Sequence, residues 1–137
     1  MCNFNIDKAR EKQITTNAEA AYVAAQALAT EAYGKGVKSD GVYKYVLGVE
    51  SGDSANPTKI VTLTDIQASF TASMTMKSGS DAHDPYIINT FDYTQDNKTA
   101  RWYRSGTDGN EKYGAVGAGG WIVSEDNDAK GLPASKS

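Results

Sequence analysis

The sequence predicts an α+β fold in which one long N-terminal helix packs across an antiparallel β-sheet meander. Three observations predict it. Residues 6–33 hold neither Gly nor Pro and carry apolar side chains at helical spacing. After Gly36 the pattern changes to short β-like runs punctuated by turn residues. Two of those runs flank a loop of turn formers, as a hairpin requires. With 137 residues the chain is sized for one domain, 1–137. Its expected parts are an N-terminal helix at 5–34, a connecting loop with room for a strand at 35–58, a β-sheet region at 59–123 and a polar tail at 124–137.

The helix is dense in Ala, Glu, Lys and Gln, all strong helix formers. Asn5 or Asp7 is placed to cap its start, and Gly34 with Gly36 is a stop signal. Ile14, Ala18, Ala21, Ala25, Leu28 and Ala32 follow one another at spacings of 4, 3, 4, 3 and 4, a narrow stripe widened by Tyr22, Ala29 and Tyr33. Their small side chains suit close packing on a sheet. The stripe does not reach the helix start. Residues 7–13 are polar nearly all round, so this end is expected to project past the sheet into solvent or another molecule.

Downstream, Val42–Val49 is rich in aromatic and β-branched residues and reads as a strand that ends at Ser51-Gly52-Asp53. Asn56-Pro57 marks a turn before a second β-like run, Lys59–Leu63. Thr64 and Gln67 have capping-box spacing, which predicts a helical turn near 64–69 running into a strand near 70–77. Tyr86–Thr94 and Thr99–Ser105 read as a hairpin across a four-residue loop, Gln95–Lys98. Trp121-Ile122-Val123 reads as a last strand after the Gly-rich Gly114–Gly120. The expected sheet has four or five antiparallel strands.

Composition narrows the function classes. Lys and Arg number 14 against 17 acidic residues, with no basic run, which argues against a nucleic-acid partner. A single Cys2 and a single His83 leave little for metal or acid–base chemistry. A Cys2–His83 nucleophile–base pair is disfavoured because both lie outside ordered elements on this reading. His83 between Asp81 and Asp84 is better read as a solvated loop than as a metal site. Glu125-Asp126-Asn127-Asp128 offers oxygens of the kind calcium prefers without the EF-hand spacing. Gly114–Gly120 lacks the Lys-Ser/Thr of a phosphate loop. The expectation is therefore a non-enzyme with no catalytic residue, cofactor or metal. Arg101, Trp102, Tyr103 and Arg104 form a candidate recognition patch on the hairpin.

From Ile6-Asp7-Lys8-Ala9-Arg10-Glu11, through the Ala-rich stripe to Tyr33-Gly34, the chain resembles the soluble part of a type IV pilin. The loop, the antiparallel meander and the polar tail follow the same order. The resemblance implies a ladle-like fold and a subunit of a cell-surface fibre used for adhesion, motility or biofilm formation. It also implies an extracellular location, and a precursor anchored in the cytoplasmic membrane through an apolar half-helix that precedes the residues shown. Its partners would be copies of itself and the pilus assembly machinery. Asp7, Lys8, Arg10, Glu11 and Lys12 would then form an assembly interface. The alternatives are a type II secretion pseudopilin, or an extracellular binding module using the 86–105 hairpin face. The chain lacks the cysteine pair of many Gram-negative pilins and is closer to cysteine-poor Gram-positive ones.

Overall fold

The computed structural model describes residues 2–104 and 121–124. In chain order these residues form α1 (Cys2–Gly34), a 3-10 turn at Ser39–Gly41, α2 (Val42–Leu47), α3 (Thr58–Thr62) and β1 (Thr71–Met76). A second 3-10 turn at Asp84–Tyr86 leads into β2 (Ile88–Gln95), β3 (Lys98–Tyr103) and β4 (Trp121–Ser124). The strands pair in sequence order, β1-β2-β3-β4, all antiparallel. The fold is α+β.

The α1 stripe is the helix side of the core. Ile14, Ala18, Ala21, Ala25 and Ala32 are fully buried, and Leu28 nearly so; Ala24 and Ala29 join them. Because six of these eight side chains are single methyl groups, the helix backbone can approach the sheet closely. The sheet answers with large residues. Phe91 at the centre of β2 lies between Met74 of β1 and Trp102 of β3 in the register, and all three are buried. Tyr22 of α1 reaches down to this row, with its ring 4.3 Å from Trp102 and 6.0 Å from Phe91. Small helix residues facing bulky sheet residues let the two layers interdigitate closely.

Two runs expected as strands are short helices. In α2, Val42, Tyr43, Val46 and Leu47 are the buried residues, at positions i, i+1, i+4 and i+5. That set lies on one helical face, whereas a strand would split it between two. Gly48 ends α2 at φ +83°, where its N–H donates to the Lys44 carbonyl at 2.8 Å. A Cβ at Gly48 would meet nothing within 4 Å. Gly48→Ala is therefore expected to cost only the left-handed backbone strain, about 1–2 kcal/mol, read as a lowered midpoint in thermal unfolding.

The second run is likewise helical up to Thr62, as α3, entered from Pro57 in an extended conformation and ending before Leu63. Ile60 is its buried residue, while Val61 and Leu63 are exposed. The helical turn expected at 64–69 does not form. The Thr64 hydroxyl accepts the Ile66 N–H at 3.4 Å, and the Gln67 amide donates to the Asp65 carbonyl at 3.2 Å. These local bonds take the place of the capping box. The strand that follows keeps the expected alternation, with Phe70, Ala72 and Met74 buried.

The hairpin loop is shorter than expected. Gln95 pairs with Lys98, leaving a two-residue turn of Asp96 (φ 55°) and Asn97 (φ 63°). Two successive left-handed residues are the type I′ geometry that matches strand twist, and Asp and Asn tolerate it best after Gly. The Gly-rich segment 114–120 and the tail beyond Ser124 lie outside the described residues.

Candidate functional site

The surface that distinguishes this chain is that of α1. Among the described side chains, Ile14 is the first along the helix that is fully buried. Before it, Ala9, Arg10, Lys12 and Gln13 are exposed. The helical backbone runs through residues 2–13 before it reaches Ile14, a length of roughly 18 Å at 1.5 Å per residue. Asp7, Lys8 and Glu11 belong to the same stretch of helical backbone. Of the candidate assembly residues, Arg10 and Lys12 present their charges to solvent.

Two polar clamps fix the docked part of α1 on β2. At one end the Asn17 amide donates to Gln95 Oε1 at 3.1 Å, and the Tyr93 hydroxyl donates to the same oxygen. At the other end the Gln26 amide donates to the Tyr86 carbonyl at 2.9 Å, and Gln26 Oε1 accepts the Ile88 N–H at 2.9 Å. Gln26 thereby replaces a strand partner for the first residue of β2. No sequence spacing points to these pairs, because they join residues 60 to 78 positions apart.

Burial pushes the Tyr93 hydroxyl up to about 12, with the Asp96 charge adding and the Asn17 amide opposing. The unfolded phenol ionises near pH 10. Stability linked to Tyr93 is therefore complete below about pH 10. It falls as pH rises towards 12, where the unfolded chain releases a proton that the folded one retains. Alkaline unfolding followed by circular dichroism is expected to steepen in that window. Tyr93→Phe should flatten the dependence while lowering stability at neutral pH by about 1 kcal/mol for the lost hydrogen bond.

The helix C-terminus meets the 78–86 loop. The ring of Tyr33, which is 44% exposed, lies 4.7 Å from His83 and 5.0 Å from Tyr86. Tyr86 donates to the Val37 carbonyl at 2.6 Å. His83 Nδ1 is 3.2 Å from Asp81 Oδ1, and bonds from the His83 amide and ring hold the Asp81 carboxyl below its usual range. Asp84 is turned inward. It accepts the Asp81 N–H at 3.2 Å and pairs with Lys77 at 3.6 Å. A Cβ on Gly79 would fall 2.2 Å from Asp84 Oδ2, so the loop closes tightly on that carboxylate. The two aspartates thus serve the loop itself. Among the described residues no group of three or more His, Cys, Asp or Glu side chains is placed to hold a metal ion. Cys2 sits at the other end of α1 from Tyr33, about 46 Å away along the helix, so it does not meet His83.

The hairpin quartet divides. Trp102 faces α1 and is only 8% exposed, which removes it from a surface patch. Arg101 forms a two-pronged pair with its cross-strand neighbour Asp92, one bond being 2.7 Å. Arg104 donates to the Ile88 carbonyl at 2.7 and 3.1 Å and lies 5.2 Å from the Trp102 ring. Tyr103 continues β3. These arginines brace the sheet. Glu125–Asp128 lies outside the described residues.

On the face of α1 turned away from the sheet, a groove of about 790 Å³ runs between the helix and residues 63–66. Ala20, Val23 and Ala27 form one wall, and Leu63 and Ile66 the other. Val23 is 59% exposed and Leu63 57%. Sequence reasoning passed over this feature; the signal was Val23, an apolar residue off the buried stripe. Among the described residues no helix is long and apolar enough to cross a membrane. No protein-family model matches the chain, and comparison with curated proteins and with solved structures finds no match.

Proposed function

We propose that the chain is a structural subunit of a type IV pilus, a non-enzymatic protein that assembles with copies of itself into a cell-surface fibre. One observation carries the reading. The helix α1 is docked on an antiparallel meander from Ile14 to Ala32, yet it continues N-terminally with Arg10 and Lys12 in solvent. The α1 backbone stays helical for twelve residues before Ile14, and isolated segments of that length are marginal in water, so their order needs a reason. A fibre supplies the reason. The projecting turns would lie between neighbouring subunits, where Asp7, Lys8, Arg10, Glu11 and Lys12 would meet charges of the next copy. On this reading the assembled subunit carries an apolar continuation of α1, the precursor is held in the cytoplasmic membrane by it, and the mature domain is extracellular. Assembly machinery, rather than a small ligand, is the further partner.

Antibody against this domain should label surface filaments of the source cells, and deletion of the coding sequence should remove those filaments. Label confined to the cytosol, or filaments unchanged in the deletion strain, would contradict the reading.

A further inference from the structure

We infer that the outer face of α1 is a self-complementary surface through which two copies of this chain pair antiparallel about a two-fold axis. The inference is independent of the fibre reading, because an isologous pair closes on itself and does not propagate. It rests on the row Lys12, Thr16, Ala20, Val23, Ala27 and Glu31. All six are exposed. Their spacings are 4, 4, 3, 4 and 4, the same in either direction. They therefore form one continuous ridge along the helix.

Laying this ridge antiparallel on itself, centred between Ala20 and Val23, sets Lys12 opposite Glu31 of the second copy, and Glu31 opposite its Lys12. Thr16 then faces Ala27, and Ala20 faces Val23. Small residues oppose the larger one, so the helices can approach closely at the centre. The ends carry opposite charges twice over. Glu19, beside the ridge, falls opposite Ala24 and meets no like charge. The groove beside the ridge supplies the apolar contact, since Leu63 stands exposed next to Val23 along its length. Glu31 already pairs with Lys35 at 3.5 Å on the open surface, leaving its second oxygen for the incoming lysine. Exposed pairs of this kind contribute little affinity, so they set the register while Val23 and Leu63 supply the attraction. A contact of one helix and one loop is small, and the pair should be weak.

Sedimentation velocity over a concentration series up to about 1 mM reads the pairing directly. The native chain should shift from monomer to dimer across that range. Val23→Glu, at an exposed position, should keep the thermal midpoint and stay monomeric. Lys12→Glu and Glu31→Lys should each weaken the dimer about tenfold by placing like charges across the axis. An equimolar mixture of these two variants should restore pairing, because every cross-axis contact in the mixed dimer is again Glu against Lys. A native chain that stays monomeric throughout would overturn the inference. So would a dimer indifferent to Val23→Glu, or a mixture no stronger than its parts.

Discussion

Phe91→Ala is expected to lower stability by about 3–5 kcal/mol. Phe91 is fully buried at the middle of β2, with Met74 and Trp102 on either side and Tyr22 of α1 above it. Removing the ring deletes the contact shared by three strands and the helix. The neighbours are poorly able to collapse into the space. Trp102 is held against Tyr22, and Tyr93 is stacked on Phe70 at 4.8 Å. Domains of this size have total stabilities of about 5–15 kcal/mol, so the loss should appear as a large fall in the urea midpoint. A loss under about 1 kcal/mol would mean that the core is not centred on this row.

The second large effect comes from the opposite error, overfilling. Ala25 is fully buried where α1 lies against the sheet. Ala25→Leu inserts three carbons into a seam built for methyl groups and is expected to cost about 1–3 kcal/mol or more. The penalty should be larger still if the helix cannot lift, because the clamps at Asn17 and Gln26 hold it on both sides of Ala25. Ala9→Leu makes the same chemical change in the exposed N-terminal turns and should stay within about 0.5 kcal/mol of the native chain. Urea midpoints of the two variants separate the docked part of the helix from the free part.

What the sequence could reveal was set by the length of each pattern. The stripe from Ile14 to Ala32 runs over five turns, and a period sustained that long has one reading. Val42–Leu47 and Thr58–Thr62 are too short to have a period of their own. Val, Ile, Tyr and Thr there favour strands locally, yet packing of α2 against α1 decided for helix. The Thr64–Gln67 spacing was right for a cap, but no apolar helical run followed for it to cap. The hairpin was legible from its turn residues, with only its length misjudged, because Gln95 and Lys98 look like loop residues and are nonetheless buried at the strand ends. Gln95 is drawn in by Asn17 and Tyr93, partners that no local window contains. The polar start of α1 was legible from composition alone. The groove beside Val23 was not, since its far wall is Leu63, forty residues on.

Helix α1 has two regimes, docked on the sheet from Ile14 to Ala32 and exposed to solvent at Ala9, Arg10, Lys12 and Gln13. Native-state hydrogen exchange on the dilute monomer measures both in one experiment. Amides of residues 18–32, in the part of the helix whose inner face is docked on the sheet, should open only with global unfolding, whereas those of residues 7–12 should exchange through local fraying, orders of magnitude faster. Equal protection across 7–12 and 18–32 would contradict the account, because it would show that the first turns already have a partner within the isolated domain.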